Sequence, residues 1–369
     1  MSPSQIEILL IAIVTAAACA LPGVFLVLQR KAMLADAISH TVLLGIVIGF
    51  FMVGSLQSPL LVLGAAAVGV VTVALVAALE RTHLVRVDAA IGLVFPVLFA
   101  AAVLLITLFA NQIHLDIDAV LVGEIAFAPF DRILIGGMDA GPRGLWWMGS
   151  ILLINLIFIL VFYKELKLTS FDPGLATALG FAPAAVHMAL MSLVSITVVG
   201  AFDIVGSVLV VALMIGPAAA AYLLTERLSR MLLISVIVGA LSAVSGYWLA
   251  WALDASIAGA MAAAVGGWFS LILCFAPRRG LIAALRRQQK QRLDFAVTML
   301  TGHLLNHEDT PDQALESRPE HLGAHMRWTP RLAAAVIQRS TALGLVELRA
   351  DRLWLTPSGR QHAIREFLR

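Results

Sequence analysis

Asp36 and His40 stand four residues apart in the run Leu34-Ala35-Asp36-Ala37-Ile38-Ser39-His40, which leads through Thr41 into an apolar stretch ending at Phe50. That spacing puts a carboxylate and an imidazole on one helix face. Together they suit a divalent ion such as Mn2+, Fe2+ or Zn2+, and no thiolate lies nearby to favour copper. Ionisable groups are costly in hydrocarbon and therefore face a bundle interior or a pathway. Arg30 and Lys31 mark a polar boundary. Ten residues at about 1.5 Å each place His40 about 15 Å beyond it, near the middle of a hydrocarbon layer about 30 Å thick. Two ligands per chain hold an ion weakly, which suits an ion in transit, and in a symmetric dimer two such pairs could converge on one ion. The bland alternative is an Asp–His hydrogen bond that only fixes helix packing.

Other residues invite the same reading. His114, Asp116 and Asp118, followed by Glu124, could attract a cation at an outer mouth or belong to a solvated loop. His303 with His307, and His321 with His325, are spaced to bind a metal if both segments are helical; otherwise they are surface histidines. His187 sits in an apolar run and reads as a core hydrogen-bonder. His83, with Arg86 and Asp88, reads as a loop residue. Asp203 and Asp254 read as solvated helix ends. Cys19 and Cys274 lie in apolar runs and behave as small core hydrophobes.

The chain that must position these groups has 369 residues, is 60% hydrophobic and is only 13% charged. This excludes an ordinary soluble domain and predicts a polytopic membrane protein. The charge is uneven: residues 285–369 hold 13 of the 25 Lys and Arg and 9 of the 23 Asp and Glu. A membrane domain over 1–284 followed by a small, mildly basic soluble domain over 285–369 is expected.

Nine apolar runs near the required length of ~20 residues cover 5–28, 33–53, 59–79, 89–110, 145–163, 182–200, 204–224, 231–252 and 256–276. The first has no Lys or Arg before it and is too long for a signal-peptide core, so it is expected to remain as a span. Arg30/Lys31, Arg81/Arg86, Lys164/Lys167, Arg227/Arg230 and Arg278/Arg279 fall in alternate loops. The positive-inside rule then places the N-terminus outside and the C-terminal domain in the cytoplasm. Loop 111–144 is the exception, being assigned outside yet carrying Arg132 and Arg143. Its apolar part, Val120 to Phe130, is too short to span, so the count is eight to nine helices. Gly216-Pro217 is expected to break or kink its helix, or to serve packing alone. From Lys164 the sequence is polar, turns at Asp172-Pro173, and is then predicted to form a short helix lying along the membrane. Ser170 or Asp172 caps it, Pro173 occupies its first turn, and Gly180 ends it. No GxxxxGK[ST] and no HExxH occurs, so neither a P-loop nor a zincin site is expected.

Three motifs in this order resemble the permease of manganese/zinc/iron ABC importers. They are Asp36-Ala37-Ile38-Ser39-His40 before Gly45, Phe171-Asp172-Pro173-Gly174 with Ala176 and Gly180, and Val205-Gly206 with Ile215-Gly216-Pro217-Ala218. The likeness spans residues 5–277. Where the family often has Leu-Pro-Gly after the His, this chain has Leu43-Leu44-Gly45. The resemblance implies a non-enzymatic permease subunit in a bacterial inner membrane. Asp36 and His40 would form the transport site for Mn2+, Zn2+ or Fe2+, with no resident cofactor. It further implies a second permease subunit, an ATP-binding subunit docking on the 171–180 segment, and an extracytoplasmic metal-binding protein. An ion-coupled secondary transporter is a rival reading.

Residues 285–369 read as three helices (286–305, 311–322 and 331–343), a hairpin around Ala350-Asp351, and a last helix from Thr356. This order, with Gly344-Leu345-Val346 and Leu355-Thr356-Pro357-Ser358-Gly359-Arg360, is similar to the winged-helix domain of diphtheria-toxin-repressor-type metalloregulators. The resemblance makes Arg331, Gln338 and Arg339 candidate nucleic-acid contacts. A regulatory or docking module is favoured over DNA binding, because a DNA binder usually carries a strongly basic face. The alternative function for the whole chain is a membrane-tethered, metal-responsive transcription regulator.

Overall fold

A computed structural model describes residues 2–54, 59–109, 125–135 and 138–367. The chain divides into two units, Met1–Pro277 and Arg278–Arg369. The division falls just before the 284/285 boundary expected from charge, because the helix that opens the second unit begins at Leu281.

In the first unit α1 (Pro3–Leu28), α2 (Met33–Val53), α3 (Pro59–Arg81) and α4 (Val87–Phe109) follow one another. A hairpin of β1 (Arg132–Ile135) and β2 (Met138–Pro142) precedes α5 (Arg143–Val161). Two short helices, α6 (Tyr163–Phe171) and α7 (Pro173–Ala178), lead to α8 (Pro183–Leu224), α9 (Leu228–Leu253) and α10 (Ile257–Phe275). Among the described residues eight helices are long and apolar enough to cross a membrane. α1 is the most enclosed of them, with Ile11, Ala16, Cys19, Val24 and Phe25 fully buried.

Small residues let these helices meet backbone to backbone. A Cβ on Gly45 of α2 would lie 2.4 Å from the Gly64 carbonyl oxygen of α3. That is closer than real Cβ contacts come, so the glycine sets the α2–α3 spacing. Beside it the Thr72 hydroxyl bonds Thr41 at 2.9 Å.

The nine apolar runs and the eight long helices are reconciled in α8, which is two helical segments meeting at Gly206 (φ 75°, ψ 168°). In the first segment His187 meets Gln29 (Nδ1 to Oε1, 3.0 Å). Further along, Thr197 meets Asn155, whose amide also donates to the Ala18 carbonyl. Ile204 and Ile11 both border Gly144. The first segment thus follows α1 from residue 29 back to residue 11, a climb of about 27 Å. Continued straight, Met214 would lie about 15 Å past Ile11. Instead its carbonyl presses on Gly23. The second segment therefore runs back along α1. The expected loop 201–203 is replaced by a turn at Gly206, whose backbone conformation only glycine adopts readily. The expected break at Gly216-Pro217 does not occur. Pro217 is buried within the second segment, where a neighbour can satisfy what proline frees. Gly216 serves packing, since a Cβ there would lie 2.2 Å from Val265 of α10.

The second unit contains α11 (Leu281–Asn306), α12 (Gln313–Glu316), α13 (Pro319–His325), α14 (Pro330–Ala342), β3 (Val346–Arg349), β4 (Arg352–Leu355) and α15 (Pro357–Phe367). Its core gathers Val297, Leu300, Leu304, Leu322, Val336, Val346 and Leu353. The single helix expected over 311–322 is two short ones. Pro319 holds Arg318 extended (φ −78°, ψ 132°) and restarts the helix. Ala350 and Asp351, at φ 49° and 59°, make the two-residue turn of the antiparallel β3–β4 pair, the hand that suits strand twist. The Leu353 N–H donates to the Ser317 carbonyl at 2.8 Å, pinning β4 to the α12–α13 junction.

Candidate functional site

Asp36 lies in the first turn of α2 and His40 one turn on. Asp36 Oδ1 is 3.5 Å from His40 Nε2, with side chains 48% and 33% exposed. The contact stays within one helix, so it joins no two helices. Ala35, Ala37 and Ile38 supply the buried face of α2. The imidazole rests against Phe95 and Phe99 of α4, at centroid distances of 5.8 and 5.9 Å. α4 starts at Val87, beside Arg86. Phe95 and Phe99 are then about 12 and 18 Å along it, bracketing the 15 Å depth counted on α2.

The segment between α5 and α8 is an elbow. Asp172 ends α6 and caps α7, its Oδ1 accepting from the Leu175 N–H at 2.9 Å. Pro173 and Gly174 form the first turn, Ala176 is fully buried, and Gly180 closes the elbow at φ 85°. Phe171, Leu175 and Leu179 are exposed. Ser170 is not the cap; its hydroxyl accepts from Gln29 Nε2 at 3.2 Å.

That bond opens a polar chain. Gln29 continues to His187, His187 Nε2 lies 3.5 Å from Lys31 Nζ, and Lys31 pairs with Glu80 at 2.9 Å. These residues border a cleft of about 480 Å³ that also reaches Pro173 and Arg81. His187 is thus a hydrogen-bonder, but of a half-buried network and not of an apolar core. Spacing along the chain cannot reveal the network, because its members come from four separate elements.

His114, Asp116, Asp118 and Glu124 of the expected outer loop lie outside the described residues. The two arginines that break the charge rule there are neutralised. Arg132 bonds Glu7 at 3.1 Å and Asp139 at 2.6 Å, and Arg143 faces Asp131 at 3.8 Å. The Arg132 hydrogen bond holds the Asp139 carboxyl below its usual range. Asp203 is exposed near the Gly206 turn, and Asp254 is exposed at the end of α9.

In the second unit the two histidine pairs converge. His303 Nε2 is 3.2 Å from Glu316 Oε2, His321 Nε2 is 3.1 Å from Glu316 Oε1, and His325 Nδ1 is 3.8 Å from Oε2. The His307 ring lies tilted against His303 at a centroid distance of 4.7 Å. Burial lowers the His303 pKa and favours the neutral ring. Burial opposes ionisation of Glu316, but the charges of His321 and His325 outweigh it and its pKa falls. Glu316, the hub, carries no sequence signal beyond lying between the pairs. Of the candidate nucleic-acid contacts, Arg331 and Gln338 are on the exposed face of α14. Arg339 is held by Asp294 of α11 at 2.8 Å, which takes up the charge a phosphate would need.

The ABC 3 transport family model matches residues 3–276. The chain is 45% identical to the zinc transport system membrane protein TroD of Treponema pallidum over 353 residues, covering 96% of each chain. It is 48% identical to the manganese transport system membrane protein MntD of Bacillus subtilis over 277 residues, 74% of this chain and 94% of that one. The first match thus includes most of the second unit, whereas the second covers only 277 residues. Among solved structures, PsaBC from Streptococcus pneumoniae in complex with Fab matches with a TM-score of 0.62 at 26% identity, covering 76% of this chain and 94% of that one.

Proposed function

The chain belongs to the ABC 3 transport family, and on that premise we propose that it is the membrane permease subunit of an ATP-binding cassette importer for manganese, zinc or iron. One observation carries the reading: the family match covers the whole helical bundle, and relatives 45% and 48% identical to the chain are named for zinc and manganese transport. The chemistry of the transport step falls to Asp36 and His40. A carboxylate at bilayer depth costs about 2.5–3.5 kcal/mol by insertion scales when it faces lipid. Half-exposed on a face this chain leaves open, the pair is best explained by a second permease subunit or a water-filled path covering it. Two pairs meeting there supply four N and O ligands, enough to replace water around the ion and too few per chain to trap it.

The elbow at Phe171, Asp172, Pro173, Gly174, Ala176 and Gly180 is the surface offered to the separate ATP-binding subunit. Its exposed apolar side chains support this, as does its place among Arg30, Lys31, Arg81 and Lys167, the residues that mark the cytoplasmic side. The opposite face would receive metal from an extracytoplasmic binding protein. Residues 278–369 would then be cytoplasmic, and their helices plus hairpin support a winged-helix reading with a regulatory role. Binding of nucleic acid is less favoured, since Arg339 is already paired.

Radiometal uptake by vesicles holding the permease, its ATP-binding subunit and the binding protein tests the reading. Uptake should require ATP and vanish in Asp36→Ala and His40→Ala although the complex assembles. Uptake that persists without the ATP-binding subunit would instead favour a secondary transporter. Loss of promoter binding on reversing the charge of Arg331, with uptake intact, would favour a tethered regulator.

A further inference from the structure

We infer that residues 278–369 carry a second, non-transport metal site, in which Glu316 and the imidazoles of His303, His307 and His325 bind one divalent ion of the zinc class, with His321 orienting the carboxylate. Five potential ligands from three elements meet there. His303 lies in α11 and His307 caps its end, Glu316 ends α12, and His321 and His325 lie on α13. The ligand atoms of His303, His307 and Glu316 all lie within 4.8 Å of one another, as do those of Glu316, His321 and His325. Two ligand triads therefore share one carboxylate.

A second observation is independent of this grouping. Glu316 is only 8% exposed, and its Oε2 is buried without a hydrogen-bond partner. His303 approaches that oxygen, but its ring nitrogen bonds the Glu316 carbonyl instead, at 3.3 Å. A buried carboxylate oxygen left without a donor is destabilising. A cation at Oε2 removes that cost. His321, bonded to Oε1 at 3.1 Å, holds the carboxylate in place, as outer hydrogen bonds do for metal-bound carboxylates.

The donor set selects the ion. Imidazole nitrogens with one carboxylate oxygen suit tetrahedral zinc, while manganese prefers an oxygen-rich shell. Entry is open, because the His325 side chain is 49% exposed and that of His321 30%. The ion would also have a structural effect. α12 and α13 have four and seven residues, too short to persist alone. An ion bridging them to α11 lends its binding energy to their folding.

The test is zinc binding by the purified full-length protein in detergent, stripped by chelator and titrated against a fluorescent competitor. One tight zinc per chain should survive in Asp36→Ala/His40→Ala. It should weaken about 100-fold in His303→Ala/His325→Ala and at least about 10-fold in the conservative Glu316→Gln. Manganese should bind at least about 10-fold more weakly than zinc. Cobalt(II) should give a tetrahedral absorption spectrum that the histidine variant lacks. Unchanged zinc affinity in a histidine variant that keeps its helical circular dichroism would overturn the site. So would loss of the tight zinc in Asp36→Ala/His40→Ala. If the double variant misfolds, Glu316→Gln and His307→Ala decide: wild-type affinity in both refutes the assignment. Because uptake is not the readout, failure here leaves the transport reading standing.

Discussion

Asp36–His40 and the cluster around Glu316 use the same two side-chain chemistries in opposite ways. The first is a lone pair, half-exposed, at 3.5 Å on one helix. The second gathers four imidazoles about a carboxylate that is almost fully buried. An ion that must be handed on needs few ligands from each chain and an open face. An ion that is to stay needs many ligands and enclosure. On the two proposals, ligand number and burial, more than ligand type, separate transit from residence.

The comparison breaks most visibly in transport. Asp36→Ala or His40→Ala is expected to reduce initial uptake by at least about 100-fold, roughly 3 kcal/mol. His303→Ala/His325→Ala should change it far less under metal-replete assay. Equal losses in the two variants would erase the distinction between the sites.

Second comes the spacing of the helix that carries the pair. Gly45→Val forces a Cβ to 2.4 Å from the Gly64 carbonyl oxygen, so α2 and α3 must part. A loss of several degrees in melting temperature in detergent is expected, with reduced uptake. Gly54→Ala, at a site where an added Cβ meets nothing within 4 Å although φ is 70°, separates lost spacing from simple glycine strain.

On the proposed reading, transport through the pair also depends on the elbow. Asp172→Ala removes the cap of α7, worth ~1 kcal/mol. ATP-driven uptake should fall about several-fold while metal binding by the isolated permease is unchanged. Asp172→Asn, which can still cap, should restore most of the activity.

The smallest effect expected is acid sensitivity confined to the second unit. The folded pKa of His303 lies below 6.5 and that of Glu316 below 4.5. Both groups bind more protons when unfolded, so each contributes stability that is lost as pH falls. The His303 part is lost from about pH 6.5 downward, and the Glu316 part from about pH 4.5 downward. Hydrogen exchange of residues 296–325 should accelerate over that range in chelator. Zinc should shift the onset to lower pH.

Much of this was legible in the chain, and the gaps have physical causes. The Asp36–His40 spacing names its own geometry, because one helix holds both groups. The elbow is legible for the same reason: Asp, Pro and Gly act within a few residues of one another. Hydropathy puts the reversal in α8 a little early, as a loop at 201–203, because it detects only polar breaks and a single glycine in an apolar run makes none. Proline drew attention at position 217, yet burial among neighbours removed its power to break the helix. The Ser170–Gln29–His187–Lys31–Glu80 chain and the role of Glu316 were invisible for a different reason. They join elements far apart in sequence, so no spacing encodes them.

The turn at Gly206 has a consequence for the whole chain's orientation. By folding α8 back on itself it makes the number of passes through the bundle odd among the described residues. Residues 3 and 275 therefore end at opposite faces. Without it, parity changes, and everything after Leu224 would be threaded toward the other compartment. A residue without a side chain thus decides at which face the chain leaves α10 and, on the proposed reading, which metal supply the histidine cluster would meet.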